Sequence, residues 1–409
     1  KKEMAARNIM PDRVGVGWPV FDHREVLSAL DSLLDLRISQ GAKVREFEER
    51  FAKYTGTKYA VAVNSGTSAN MLALAALVES GDVAKGDEVI LPAATFSAVA
   101  SPVLQLGLVP VYVDVDERSW NIDPKEIERA ISKKTRVIMA VHSFGNPVEM
   151  PSIMRIAKRH NLIVIEDCCE AHGSRIGQRR VGSFGDLATM SFFVAHNMTT
   201  GEGGMIFTNK RKYYEILTSL REFGRLPLEV VQKQRFTYFD PVLGYYDTRY
   251  VFDRLGYNVR MTDIAASLGI EQLKKLDALN KKRVAVVARY QRDFRKYKKY
   301  LRLPEVRKGT FHSFYGYSVV VERGAPFQRR DLVRFLEERE IETRPFFAGC
   351  LPDQPGFRNQ PKKIIGKLSI SRWIRDNAFF IGCHPALTQA HVRRVVQAFS
   401  DFFGRLPSQ

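Results

Sequence analysis

The sequence predicts an α/β protein, with a large domain on a mostly parallel central sheet and a smaller C-terminal α/β domain. Three observations predict it. Short apolar runs rich in Val and Ile alternate with helical patterns through the first two thirds of the chain, which is the signature of strands joined by crossover helices. A long helical pattern then runs from Asp263 to Tyr290, with Ile264, Leu268, Leu273, Leu276, Leu279 and Val284 near helical spacing. Beyond it, the C-terminal part mixes strands and helices of its own. The 409 residues suffice for two domains. The boundary is placed near residue 270, giving a large domain over 1–270, N-terminal segment included, and a small one over 271–409.

In order along the chain, the expected strands are 59–63, 88–91, 109–115, 137–141, 162–166, 190–194 and 205–208. Between them, 69–78 is Ala- and Leu-rich and helical. The helix over 124–131 starts with Pro124 behind Asp123, an N-cap followed by the proline that a first turn tolerates. The stretch 152–160 is amphipathic. In the C-terminal part, 318–321 reads as a strand, and 331–339 and 391–403 as helices. The segment 226–250 is aromatic and lacks periodicity; long irregular loops inside compact domains are often functional.

Composition narrows the function classes. At 45% hydrophobic and 26% charged the chain reads as soluble and globular. No run of about 18 apolar residues is present, so no membrane span is expected. The N-terminal stretch Lys1–Arg13 is polar and lacks a signal-peptide core, and it starts without Met, so the natural start is expected upstream. The net charge, 63 − 45 = +18, raises nucleic acid as a partner. No zinc-finger, helix-turn-helix or RNA-binding fingerprint accompanies it, so no nucleic acid is expected. The basic residues are scattered, denser at Lys281-Lys282-Arg283 and over 292–302, and the charge suits an anionic small molecule such as a nucleotide sugar. The four cysteines, Cys168, Cys169, Cys350 and Cys383, have neither disulfide nor zinc spacing. They read as reduced thiols of a cytoplasmic protein, with no metal site.

Several residues could carry chemistry. Asn64-Ser65-Gly66-Thr67-Ser68 follows a strand and opens a helix. Free N–H groups at a helix start suit a phosphate, with Gly66 allowing close approach and Thr67 adding a hydroxyl; the same residues also cap helices with no ligand. Asp167 ends a very apolar strand, where ligands of open α/β sheets bind. It could pair with a protonated pyridine nitrogen or cap the next turn. Glu170 follows three residues later, close enough to share that site. Phe96 stands just after a strand, where it could stack on a ring or pack in the core. His196 follows the expected strand and precedes Gly201-Glu202-Gly203-Gly204; a neutral imidazole there can take and return a proton near pH 7. Ser191 lies five residues before it. His142 and His172 occupy similar strand-end places, and His172 reads as a pocket-lining residue.

Taken together, these motifs resemble the DegT/DnrJ/StrS-type sugar aminotransferases, which use pyridoxal phosphate (PLP). The resemblance runs from Pro19-Val20-Phe21-Asp22 through Asn121-Ile122-Asp123-Pro124 and the two central motifs. It continues over Gly256-Tyr257-Asn258-Val259-Arg260 to Thr343-Arg344-Pro345-Phe346, nearly the whole chain. It implies a fold-type-I PLP enzyme acting as a homodimer with active sites at the subunit interface. It also implies Gly66, Thr67 and Ser191 at the cofactor phosphate, Asp167 at the pyridine nitrogen, Glu170 at the ring hydroxyl and Phe96 on the ring face. Asn258 would reach the phosphate of the partner subunit's cofactor.

One position departs from most of the family. Where the others carry the lysine that bonds to the cofactor, this chain has His196, which cannot form that bond. The next lysine, Lys210, lies beyond another strand. Histidine there marks the nucleotide-sugar 3-dehydratases, which work from pyridoxamine phosphate (PMP). One type, acting on a CDP-sugar, holds an iron–sulphur cluster on cysteines, three of them in the loop matching 224–238. That loop has none here, so a cluster is rejected. The other type, acting on a GDP-sugar, has no cluster and draws its amino group from glutamate. The expectation is therefore C3 deoxygenation of a nucleotide-linked 4-keto-6-deoxyhexose with glutamate as donor, His196 and Asp167 being the catalytic pair. Two departures bear on the substrate: Asn197 stands where a second histidine is common, and Cys350 where Asn is usual. The rival readings are a nucleotide-sugar 4-aminotransferase that tolerates histidine and a non-catalytic binding protein.

Overall fold

The structure, a computed structural model, describes residues 12–406. Of the polar N-terminal stretch, only Asp12 and Arg13 fall among them. Its elements in chain order begin with α1 (His23–Leu34), α2 (Ala42–Thr55), β1 (Tyr59–Val63), α3 (Gly66–Glu79), β2 (Glu88–Pro92), α4 (Ser97–Gln105) and β3 (Val109–Val113). Next come α5 (Pro124–Ala130), β4 (Thr135–Val141), α6 (Met150–His160), β5 (Ile163–Asp167), β6 (Leu187–Ser191), β7 (Gly204–Thr208), α7 (Arg211–Arg221) and α8 (Leu228–Lys233). The long α9 (Asp263–Phe294) leads to β8 (Leu301–Arg302), β9 (Tyr317–Val321), α10 (Arg329–Glu337), β10 (Thr343–Pro345), β11 (Lys363–Ile364), α11 (Ser369–Asn377), β12 (Ala378–Ile381) and α12 (Gln389–Gly404).

The large sheet has the order β1-β7-β6-β5-β4-β2-β3-β11. All pairings are parallel except those of β7, which runs antiparallel to both β1 and β6. Its central strands are buried on both faces, which is why they read as unbroken apolar runs. Successive residues divide between two cores. Val137, Met139 and Val141 join the one under α3, α4 and α7, while Ile138 and Ala140 join the one under α5 and α6. A further core, around Phe47, Phe51 and Phe192, packs α2 and the start of α9 against β1, β6 and β7.

The small sheet, β8-β9-β12-β10, is antiparallel throughout. Its core gathers Val287, Tyr290 and Phe294 from the end of α9 with Phe399 of α12 and, from the far end of the chain, Val14. Helix α9 thus begins in one core and ends in another. Of the aromatic and apolar residues in the basic stretch 292–302, Phe294, Tyr297 and Leu301 are buried and Tyr300 is partly exposed.

Helices α1, α2, α4, α7 and α11 were not among the expected elements, α8 lies in the segment 226–250 read as irregular, and two further places differ. The run 190–194 is not one strand: β6 ends at Ser191, Phe192 turns into the core between Phe47 and Phe51 (ring centroids 5.2 and 5.5 Å), and Phe193 and Val194 are 40% and 39% exposed. A strand end and a loop with apolar side chains look alike in sequence. And β11, which carries no apolar periodicity, leaves the C-terminal part to add an edge strand beside β3, held by Lys363 Nζ on Glu88 Oε1 at 2.5 Å.

Candidate active site

The carboxyl ends of β1, β5 and β6 converge on one place. At the end of β1, Ser65 caps α3: its Oγ accepts from the Ser68 N–H at 3.1 Å. First-turn amides have no intrahelical acceptor, so Gly66 and Thr67 present theirs outward from a helix of 14 residues. A Cβ on Gly66 would lie 2.6 Å from Ser191 Cβ and 3.1 Å from Cys169 Sγ, so only glycine lets this helix start close against the end of β6. The Ser191 hydroxyl, which accepts weakly from Phe193 N–H at 3.4 Å, is thereby brought beside the first turn. Thr67 is exposed.

Asp167, at the end of β5, is 5% exposed. Its Oδ2 accepts from Asn70 Nδ2 at 2.8 Å and its Oδ1 from Cys169 N–H at 3.0 Å. The Asn70 amide also reaches the Ala98 carbonyl at 3.2 Å, and its oxygen accepts from Thr189 at 2.6 Å. Asn70 therefore ties the carboxylate to the first turn of α4, whose N-cap is Phe96, 57% exposed. Glu170 accepts from Phe144 N–H at 3.0 Å. Burial, and then the Asp167 carboxylate, push its pKa well above the usual carboxylate range, which favours the form that can donate.

His196 lies in the connection 192–203 between β6 and β7. Its Nδ1 is 3.1 Å from the Ser191 carbonyl oxygen. A carbonyl only accepts, so Nδ1 carries the hydrogen and Nε2 is left with its lone pair. Burial, and then the Arg283 guanidinium, hold its pKa down to about 4, so the ring is neutral at pH 7. Tyr315 meets it edge-on at 5.3 Å. His172, fully buried, donates from Nε2 to the same Ser191 carbonyl at 2.8 Å, and its Nδ1 has no partner. Asn197 faces away: its Nδ2 donates to Asn280 Oδ1 and to the Ser313 carbonyl, both at 3.0 Å, and Asn280 in turn donates to the His172 carbonyl at 2.7 Å. Asn197 anchors the loop to α9 rather than acting beside His196.

Other sequence candidates fall elsewhere. Lys210 pairs with Asp186 at 2.7 Å, at the end of the β6–β7 pair opposite Ser191. Asn258 is exposed, and its oxygen accepts from Arg260 at 3.2 Å. Cys350 packs in the core beside α3 and α4, and Arg344 pairs with Glu342. His142, Glu166 and Cys168 lie close enough to hold a metal ion, but their polar atoms are already used. Glu166 accepts from His142 and from the amides of Gly182, Phe184 and Gly185, and His142 Nδ1 accepts from Val148 N–H. This cluster anchors a loop. Asn70 closes the motif that starts at Asn64 and Arg283 the basic run that starts at Lys281, but sequence reading gave neither a site role, and it did not single out Tyr315.

Comparison with known proteins agrees with this architecture. Residues 21–400 match the model of the DegT/DnrJ/EryC1/StrS aminotransferase family. The chain belongs to that family. It is 36% identical over 402 residues to the dTDP-4-dehydro-2,6-dideoxy-D-glucose 3-dehydratase of Saccharopolyspora spinosa, covering 94% of this chain and 86% of that one. It is 34% identical over 392 residues to the GDP-perosamine synthase of Caulobacter vibrioides, covering 95% and 98%. Among solved structures it superposes on the Escherichia coli GDP-4-keto-6-deoxy-D-mannose-3-dehydratase with bound hydrated PLP. That match has a TM-score of 0.85 and 28% identity, and covers 94% and 98% of the two chains. The fold is that of the fold-type-I PLP enzymes. The donor set suits PLP: outward amides and a hydroxyl for a phosphate, a buried carboxylate for a ring nitrogen, a carboxyl of raised pKa for a ring hydroxyl, and an exposed aromatic face.

Proposed function

We propose that this PLP-dependent enzyme of nucleotide-sugar metabolism removes the C3 hydroxyl of a nucleotide-linked 4-keto-6-deoxyhexose, giving a 4-keto-3,6-dideoxyhexose, with glutamate as amino donor. The observation that carries this is His196, a neutral imidazole with a bare Nε2 at the place where the family's lysine stands. The bound cofactor supplies an electron sink and an amino group for the C4 ketone. Gly66, Thr67 and Ser191 hold its phosphate, Phe96 covers its ring and Glu170 donates to its hydroxyl. Asp167, kept in place by Asn70, favours the protonated ring nitrogen. His196 Nε2 takes a proton from carbon and returns it to the departing C3 oxygen, which leaves as water. In sum, the sugar loses one oxygen, and glutamate is oxidised to 2-oxoglutarate with release of ammonia.

The site is proposed to form in a homodimer. Helix α1 is inverted: its acidic Glu25 is buried against Gln272 (2.6 Å) and Lys275, while Leu27, Leu30, Leu33 and Leu34 are 43–71% exposed. An apolar helix face of this extent in water marks an interface. Asn258 is then free to reach the partner's phosphate site. No helix among the described residues is long and apolar enough to cross a membrane, and we place the enzyme in the cytoplasm.

The relationship to a GDP-perosamine synthase favours a second reading, 4-amination of the same ketone. Mass spectrometry of the product decides between them: loss of oxygen at C3, or gain of nitrogen at C4. H196K is expected to shift the product toward the amino sugar, and an unchanged product would refute the role given to His196. Glutamate should convert added PLP to PMP, with no lysine trapped by borohydride. A trapped lysine would hand the assignment to the aminotransferase reading.

A further inference from the structure

Arg283 has the largest fully buried side chain among the described residues, 1% exposed in the middle of α9. Among the described residues no carboxylate pairs with it. Its guanidinium donates to three carbonyl oxygens, Nη2 to His196 at 3.2 Å and Nη1 to Tyr315 at 3.0 Å and Phe314 at 3.4 Å, and lies beside the Cys383 thiol. Its Nε has no partner. A buried cation without a counter-ion is costly and rare, and the carbonyls it clamps belong to the proton-carrying histidine and to the tyrosine set edge-on against it.

We propose that Arg283 is a positioning residue for the proton transfer, fixing the His196 loop against the Tyr315 segment while its charge disfavours a second cation at the imidazole. The inference rests on the reading of His196 given above and deepens it. The first half follows from geometry. The His196 carbonyl is held by the guanidinium and the ring Nδ1 by the Ser191 carbonyl, so backbone and side chain of one residue are pinned from two sides. The charged and titratable groups around the pair are few. His172 faces His196 at 5.9 Å between ring centroids, and Tyr315 faces His196 at 5.3 Å; Glu170 and Arg344 act on Tyr315, and Cys383 and His384 face the guanidinium. Glu170 is the one carboxyl among them, and its raised pKa favours the uncharged form. Of the two guanidinium groups, Arg283 is the one that acts on the histidines, lowering His172, His196 and His384 alike. His196 stays a base rather than an imidazolium until a proton is delivered to it by chemistry.

The test is the titration of His196 itself in the full-length protein, by NMR of selectively labelled histidine, the signal being assigned by its loss in H196N. In the wild type the ring should remain neutral and Nδ1-protonated down to about pH 5. R283M removes the charge but keeps the bulk, and should raise the His196 pKa by about one to two units. R283K retains the charge and should stay within about half a unit of wild type. An unchanged value in R283M, or equal shifts in R283M and R283K, would overturn the proposal. Should R283M not fold, R283K and the wild-type tautomer still decide: a wild-type His196 that titrates near its ordinary value, or carries its hydrogen on Nε2, refutes it. Because no substrate is present, the result stands apart from whether the product is a dideoxy or an amino sugar.

Discussion

Lowering the pH from 7 to 5 should destabilise this protein through its buried histidines, and one substitution should remove a measurable part of that loss. His312 is 4% exposed, stacked on Phe314 at 3.6 Å, with Nδ1 accepting from Phe314 N–H at 3.0 Å. Burial holds its pKa down to about 3, and that of His384 likewise to about 3, beside about 4 for His196. The unfolded chain takes up protons near pH 6.5 while the folded one does not, so stability is full above 6.5 and falls as the pH drops toward the folded values. Each of the three then contributes a loss of about 1.8 kcal/mol between pH 7 and 5, about 5 kcal/mol together. That is a large share of the roughly 5–15 kcal/mol of a folded domain. His172, also lowered, adds to it; Glu170, whose pKa is raised, opposes it, because its folded form gains a proton first. H312N keeps an acceptor for the Phe314 amide but cannot titrate. Urea midpoints at pH 7 and pH 5, for wild type and H312N, should show the pH-dependent loss reduced by about 1.8 kcal/mol in the variant. The same loss in both proteins would refute the claim that His312 is buried uncharged.

Gly66→Ala should weaken cofactor binding at least tenfold with little change of fold, because the added Cβ would fall 2.6 Å from Ser191 Cβ; absorbance titration with PLP reads it, and unaltered affinity would count against the phosphate cup. Glu48→Gln should destabilise the large domain by about 3 kcal/mol, since Arg221, 8% exposed at its side chain, would lose its carboxylate inside the protein; thermal unfolding at neutral pH measures it, and a neutral effect would show the pair to be dispensable.

What the sequence determined by itself was local or periodic. Strands buried on both faces print continuous apolar runs, so the order of strands in the large domain was legible within a few residues, while helices α1, α2, α4 and α7 were not read. The motif loops were legible because a helix start that admits a phosphate needs Gly66 with small hydroxyl neighbours. Likewise, a carboxylate at a strand end, Asp167, is an unusual place for a charge. The identity of position 196, read against its surroundings, carried most of the chemistry.

Tertiary structure decided what depends on distant segments meeting. Lys281-Lys282-Arg283 reads as one basic run, yet Lys281 and Lys282 are exposed and Arg283 is buried against His196. A helix turns by 100° per residue, so neighbours in sequence face opposite worlds, and which world each faces is set by the domain packed beside it. The run 190–194 looked like a strand because apolar side chains do not say whether their backbone pairs; Phe192 goes to the core and Phe193 to the surface. Helix α1 looks amphipathic in either orientation, and only its docking on α9 shows Glu25 inside and the leucines outside. The tautomer of His196 follows from one carbonyl oxygen, that of Ser191, whose direction exists only in the folded chain.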